Sequence, residues 1–260
     1  MSDFYVGYMP KTPVALARFV RRVTVVLAAL AVCVAVVLVT GQRPFASSTF
    51  EYGKISKFEG TVEGFPYPTL VTERPGDVGQ GQERSRYLLV APGKHGADDI
   101  VAGLDGKRVR LRGQLIYRDG GTMIEVQPGS ITSLGDGPLT TNGKDLGAIT
   151  LTGEIVDSKC YLGVMNPGQG KVHRDCASRC LSGGIPPLFV DLDNGEQYLL
   201  VGPNGNKVEY DSLKAFVAEP ITLRGELLEK ESTKLLQIDV KSLRHAPDRL
   251  ATLLTDSSHK

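Results

Sequence analysis

The stretch VRLRGQL at residues 109–115 recurs as ITLRGEL at residues 221–227. A second pair, YLLVAP at residues 87–92 and YLLVGP at residues 198–203, lies upstream in the same order and at nearly the same separation. Two ordered matches at nearly one offset indicate a tandem duplication. Apolar and polar residues alternate in the first pair, as they do in half-buried β-strands. The chain therefore contains two copies of one β-rich module.

A third pair, FEGTV at residues 58–62 and LTGEI at residues 151–155, opens the two copies. Its members lie closer together than those of the other pairs, so the second copy carries an excursion after its first strand. Thirty glycines, fifteen prolines and no tryptophan also favour a turn-rich β fold. About five short strands per copy predict a small closed barrel of the OB type, with a small open sandwich as the alternative.

An uncharged run, VTVVLAALAVCVAVVLV, occupies residues 23–39. As a helix it spans about 25 Å, near the lower limit for crossing a bilayer. Arg18, Arg21 and Arg22 precede it and Arg43 follows, so the positive-inside rule places the N-terminus in the cytoplasm. The alternative is a cleaved signal peptide, whose apolar region would be shorter. We therefore predict a single-pass anchor with the later residues outside the cytoplasm.

The charge balance and the module boundaries complete the predicted organisation. Thirty basic and 29 acidic residues leave a net charge of +1, which argues against a nucleic-acid partner. The predicted segments, in chain order, are a cytoplasmic segment 1–17, the transmembrane anchor 18–41, a stalk 42–54, the first OB-like module 55–134, a linker 135–147, the second OB-like module 148–245 and a tail 246–260.

The excursion of the second copy carries Cys160, His173, Cys176 and Cys180, whereas the first copy has no cysteine. Spacings of three and four place His173, Cys176 and Cys180 on one face of a helix, which the glycines at 183–184 would cap. Cys160 can fold against the same face. One imidazole and three thiolates form a Cys3His tetrahedral site that suits zinc or cuprous copper. An iron–sulfur cluster suits an extracytoplasmic site less well.

A disulfide is the other interpretation of these cysteines, and the one that we favour from the sequence. In an oxidising compartment, Cys160 would pair with Cys176 or Cys180 and stabilise the loop by about 3 kcal/mol. Three cysteines cannot all pair within one chain, so one thiol would remain. That thiol could ligate a metal, bridge to another chain or stay inert. A reactive cysteine is a third possibility, which depends on a lowered thiol pKa.

The motif around these residues resembles a poorly characterised group of bacterial secreted or periplasmic β-barrel domains. The resemblance covers residues 150–240 and lies in GEIVDSKC at 153–160, in HRDCASRC at 173–180 with the glycines that follow, and in the hairpin after them. It implies a bacterial extracytoplasmic domain on a small β-barrel and brings no established reaction. The first copy and the anchor lie outside it.

These observations predict a membrane-anchored binding or assembly protein of a bacterial envelope. It would lie in the inner membrane, with its β-modules in the periplasm or outside the cell and a protein partner in the membrane or periplasm. The alternative is a metal-binding or redox protein with zinc or copper in the Cys3His site. The chain has no P-loop, dinucleotide fingerprint or nucleophile elbow, so a binding protein is favoured over an enzyme.

Overall fold

The computed structural model describes residues 12–41, 48–73, 84–138, 143–231 and 233–246. Several predictions therefore lie wholly or partly outside the described residues. They concern most of the cytoplasmic segment, the first half of the stalk, the middle of the linker and nearly all of the C-terminal tail. The chain forms two compact units, residues 1–45 and residues 46–260.

The first unit contains one described helix, α1, which spans Val14–Gly41 and buries none of its residues. It is long and apolar enough to cross a membrane, judged by length and composition alone. The helix begins before the predicted start of the anchor, because the carbonyl of Pro13 already accepts the N–H of Ala17 at 2.9 Å. Pro13 lies just before the first helical residue, where a backbone N–H would have no helical partner, so its missing N–H costs the helix nothing.

The first half of the second unit is a closed barrel. Five strands form the circuit β5-β2-β3-β4-β6, which the β5–β6 pairing closes. Neighbouring strands are antiparallel except β4 and β6, which run parallel. Two further strands, β1 and β7, pair with β5 outside the circuit. The bounds are β1 Thr49–Phe50, β2 Ser56–Glu63, β3 Thr69–Glu73, β4 Arg84–Val90, β5 Lys107–Arg118, β6 Gly121–Val126 and β7 Thr132–Asp136.

The second half repeats this topology. The circuit is β8-β9-β10-β12-β11, closed by the long β8–β11 pairing, and its one parallel pair is again the third strand with the fifth. A short strand, β13, pairs with β11 outside the circuit. The bounds are β8 Lys144–Asp157, β9 Pro187–Asp191, β10 Gln197–Val201, β11 Pro220–Lys230, β12 Thr233–Ile238 and β13 Arg244–His245.

The strand orders confirm a mainly β fold with two tandem OB-like barrels, and the alternative of an open sandwich is wrong. Strands β7 and β8 extend into the two ends of the predicted linker, which was placed at residues 135–147. Strand β7 continues to Asp136, and β8 begins at Lys144. The reason is pairing, because Lys144 lies opposite Glu229 on β11 and the strand gains ladder hydrogen bonds there.

Strand β5 shows why the repeated sequence builds a barrel. Val109, Leu111 and Gly113 are buried, while the arginines between them are exposed. A Cβ atom on Gly113 would lie 2.5 Å from the carbonyl oxygen of Glu125, so only glycine allows β6 this close. Gly225 holds the same place in the second barrel, where a Cβ would lie 2.6 Å from a β12 carbonyl oxygen.

An apolar cluster joins the two barrels. The first barrel contributes Val90, Ile116 and Met123, and the second contributes Leu199 and Val201. The excursion of the second barrel, between β8 and β9, packs into this same cluster through its cysteines and the residues beside them. Its buried members there are Cys160, Tyr161, Leu162, Cys180 and Ile185. The excursion is therefore held between the barrels, within reach of loops from both.

Candidate metal centre

The first ligand candidate is placed by the end of β8. Asp157 ends the strand, and its Oδ1 accepts the N–H of Cys160 at 2.8 Å. A carboxylate in this place caps the start of a helical turn, which here begins at Ser158 and continues as the π-helical turn Cys160–Val164. Cys160 lies three residues beyond the end of β8, at the start of the π-helical turn. Its side chain is buried.

The other two cysteines lie on a short helix. A 3-10 turn, Lys171–His173, leads into α2, which spans Arg174–Ser182. Cys176 and Cys180 are one helical turn apart and therefore share a face. The helix ends at the predicted glycines, since the N–H of Gly183 bonds back to Arg179 at 3.2 Å and Gly184 has a φ of +90°. The predicted helix and its cap are both present.

The three sulfur atoms converge, but none of them is bonded to another. Cys160 Sγ lies 3.9 Å from Cys176 Sγ and 4.0 Å from Cys180 Sγ, and all three sulfurs lie within 4.8 Å of one another. A disulfide requires about 2.05 Å between sulfurs. The predicted disulfide of Cys160 with Cys176 or Cys180 is therefore wrong, and all three are free thiols. The turn and the helix face direct them into a triangle, which brings no pair to bonding distance.

His173 lies beside this triangle and is held by a carboxylate. Its Nε2 lies 2.9 Å from Asp157 Oδ2, and both side chains are buried. Ligand atoms of Asp157, Cys160 and His173 lie within 4.8 Å of one another, as a group separate from the three cysteines. The three sulfurs and the imidazole nitrogen of the predicted Cys3His set therefore do not all lie within 4.8 Å of one another. Asp157, which caps the turn through one oxygen, orients the imidazole through the other.

A lysine from the other barrel completes the cluster. Lys94, in the loop between β4 and β5, directs its ammonium at the thiols, with Nζ 2.8 Å from Cys176 Sγ and 3.4 Å from Cys180 Sγ. The hydrogen bond to Cys176 raises the pKa of Lys94 above its ordinary range. His95, the next residue in the same loop, is exposed. No pattern in the sequence identified Lys94.

Backbone contacts hold the loop of Lys94 against α2. The N–H of Gly96 donates to the carbonyl of Gly183 at 2.9 Å. A Cβ atom on Gly183 would overlap the carbonyl oxygen of Lys94, and one on Gly96 would overlap that of Gly184. The glycines on both sides of this contact are the sequence signal for a close approach, although they do not identify the segments that meet.

A second lysine crosses the interface in the opposite direction. Lys159, in the turn before Cys160, is buried, and its Nζ donates to the carbonyls of Ala91 at 2.9 Å and Gly93 at 2.7 Å. The same ammonium lies 2.5 Å from Glu125 Oε2 of the first barrel. The loop before β5 therefore binds a lysine of the second barrel, and its own Lys94 contacts the thiols of that barrel.

These contacts give two of the thiols different acidities. The hydrogen bond that Cys160 donates lowers the pKa of Cys180 to about 7, and Lys94 contributes to the lowering. The same hydrogen bond, together with burial, raises the pKa of Cys160 far above its ordinary range. One sulfur is therefore readily ionised, while its neighbour keeps the proton that the pair shares. A thiolate at neutral pH is the form that binds metal ions.

A cleft of about 410 Å³ also opens between the barrels. Leucine side chains line much of it, and its cations already have acidic partners. Arg86 lies 2.6 Å from Glu63, and Lys230 lies 3.0 Å from the same carboxylate. Lys234 lies 2.6 Å from Glu196. The cysteine cluster is therefore the described region whose donor set is best suited to ligand chemistry.

No protein-family model matches the chain, and no curated protein matches it. Among solved structures, the chain is similar to the Cpx pathway activator NlpE from Escherichia coli, at 15% identity. The match covers 74% of this chain and 94% of that one, with a TM-score of 0.21. A likeness this low does not indicate a shared function. The functional proposal therefore rests on the cluster itself, and the resemblance seen in the cysteine motif stays a prediction.

Proposed function

We propose that the chain is a membrane-anchored extracytoplasmic protein that binds a soft metal ion, zinc or cuprous copper, through Cys160, Cys176 and Cys180. The observation that carries the proposal is the spacing of the sulfurs. An ion about 2.3 Å from each of three sulfurs, at trigonal or tetrahedral angles, sets them about 3.8–4.0 Å apart. The two distances from Cys160, 3.9 and 4.0 Å, match this value.

For an ion that takes four ligands, we propose that His173 moves closer to the three sulfurs and supplies the fourth ligand, since its ring belongs to a separate group with Asp157 and Cys160. With Asp157 ionised, the N–H at Nε2 of the imidazole donates to this carboxylate, which leaves Nδ1 as the nitrogen with a free lone pair. A carboxylate behind a ligating histidine is a common arrangement that fixes the ring and strengthens the ligand. Zinc would use all four residues, whereas cuprous copper is satisfied by the three thiolates.

The metal content of the full chain in detergent tests this proposal. We expect one zinc or copper ion per chain after anaerobic loading and removal of excess ion, measured by elemental analysis. Cys176→Ser removes one thiolate and is expected to lower the affinity by more than about tenfold. Cys33→Ser is the matched control, because this cysteine lies in α1. Equal metal retention in Cys176→Ser and the wild type would contradict the proposal, as would a wild type that retains none.

The proposed location needs its own test. The arginines before the apolar run of α1 support a cytoplasmic N-terminus in a bacterial inner membrane and a periplasmic second unit. Alkaline phosphatase fused to the C-terminus is expected to be active, because its disulfides form only outside the cytoplasm. The same fusion on a chain without residues 14–41 is the control and should be inactive. Activity of a cytoplasmic reporter at that end would sink the assignment.

The proposal concerns binding, not turnover, and it replaces the predicted disulfide as the role of the cysteines. A protein partner in the membrane or periplasm stays a prediction. An ion held by thiolates of which one, Cys176, is only partly buried can exchange with a partner that offers thiols of its own. An anchored metal-binding module of this kind is compatible with the predicted role in binding or assembly.

A further inference from the structure

We infer that Lys94 determines the metal specificity of the cluster, because its positive charge favours monovalent copper over divalent zinc. The inference rests on the proposed metal binding and adds a residue that carries no ligand atom. Its basis is the position of the Lys94 ammonium, 2.8 Å from one candidate ligand sulfur and 3.4 Å from another. Among the described residues, the acceptors of its hydrogen bonds are these two sulfurs.

The direction of the effect follows from counting charge. When cuprous copper replaces zinc on the same thiolates, the net charge of the loaded cluster becomes more negative by one unit. A cation fixed beside the sulfurs stabilises the more negative cluster, and therefore the copper form. For unit charges a few ångströms apart in a partly buried site, this Coulomb energy corresponds to about a hundredfold change in the ratio of the two affinities.

The ammonium of Lys94 acts on the cluster only if it stays beside the thiols, and the backbone contacts of its loop hold it there. Lys159 donates to the carbonyls of Ala91 and Gly93, immediately before Lys94, and Gly96 donates to Gly183 immediately after it. A lysine on a free surface would be screened by water and salt and would have little effect. Here the backbone on both sides of the lysine is fixed to the element that carries the thiols.

One buried carboxylate acts in the opposite direction. Asp157 is negative, and near the cluster it favours the divalent ion. Its two oxygens accept hydrogen bonds from Cys160 N–H and from His173, so part of its charge is compensated locally. It is present unchanged in every variant compared below. A comparison between variants at Lys94 therefore isolates the effect of the lysine charge.

The test compares the full chain in detergent as wild type, Lys94→Gln, Lys94→Met and Lys94→Arg. Cuprous copper and zinc affinities are each measured by competition with a coloured chelator under anaerobic, reducing conditions. The ratio of copper to zinc affinity is expected to fall about a hundredfold in the two neutral variants. Lys94→Arg keeps the charge and should stay within about threefold of wild type. Lys207→Gln is the matched control, because Lys207 joins the barrels through Asp98 without touching a thiol.

The ratio separates specificity from a structural role. If the neutral variants lose copper and zinc affinity equally, Lys94 only positions its loop and the inference is overturned. An unchanged ratio in neutral variants that bind as well as wild type overturns it too. A wild type that binds neither ion overturns the proposed function and the inference with it. A lowered copper-to-zinc ratio in both neutral variants, with a preserved ratio in Lys94→Arg and Lys207→Gln, supports the inference.

Discussion

Gly183→Ala is expected to lower the free energy of unfolding of the unit formed by residues 46–260 by about 3 kcal/mol. The glycine is not needed for its dihedral angles, since its φ is −84°. It is needed for space, because an added Cβ would overlap the backbone carbonyl of Lys94, which cannot rotate away as a side chain tip would. Relief requires the loop and α2 to separate, which breaks the hydrogen bond from Gly96 to Gly183 and withdraws the ammonium from the thiols.

Urea unfolding of the full chain in detergent, followed by tyrosine fluorescence, measures this change. The reactivity of the thiols with Ellman's reagent at neutral pH provides a second readout and is expected to fall as Lys94 leaves, because the pKa of Cys180 rises without the ammonium. Gly64→Ala is the matched control, because a Cβ there would meet Asp105 at an ordinary 3.6 Å. We expect it to change the free energy of unfolding by less than about 0.5 kcal/mol. If Gly183→Ala is as stable as this control, the loop of Lys94 does not pack closely on α2.

Lys159→Met is expected to cost about 3 kcal/mol of stability, although methionine fills much of the same volume. The substitution leaves the carboxylate of Glu125 without the cation that lies 2.5 Å from it, and this side chain is only 12% exposed. The carbonyls of Ala91 and Gly93 also lose the ammonium that donates hydrogen bonds to them. Gln114 still donates to Glu125 Oε1 at 3.2 Å, but the carboxylate loses its cation in a mostly buried place, so the loss is larger than that of a surface ion pair.

A double-mutant comparison identifies the source of this loss. Glu125→Gln added to Lys159→Met removes the unpaired charge, so the double variant is expected to recover about 1 kcal/mol or more. Lys54→Met is the exposed control, since Lys54 pairs with Glu51 while its side chain is 67% exposed. Its expected cost is below about 0.5 kcal/mol. A Lys159→Met protein no less stable than Lys54→Met would show that the buried pair contributes nothing.

Much of the fold could be predicted from the sequence, because the duplication is visible in two strands of each barrel. The repeated stretches at residues 87–92 and 198–203 are the third strands, and those at 109–115 and 221–227 lie in the fourth. Alternation identifies the fourth strand of the first barrel, where buried residues alternate with exposed arginines, whereas the third strands are recognised by their repeated apolar run. The boundaries at β7 and β8 were missed, because Thr132–Asp136 is exposed throughout and has no apolar period to detect.

The candidate site was only half predictable. Helical spacing identified His173, Cys176 and Cys180, since those positions depend on local geometry. The bonding state of the thiols was predicted wrongly, because a sequence does not give sulfur-to-sulfur distances. Lys94 could not be found at all. It reaches the cluster only through the docking of one barrel on the other, and no local pattern encodes contacts between loops so far apart in the chain.

The reciprocal exchange of lysines has an evolutionary consequence for the two halves. The first barrel supplies Lys94 and accepts the hydrogen bonds of Lys159, so the surroundings of the thiols depend on it although it offers none of the candidate ligand atoms. A gene that lost this half would leave Lys159 without acceptors and the sulfurs without their cation. Mutual dependence of this kind favours keeping both copies of the duplicated module in one chain, because a change in either copy affects the other.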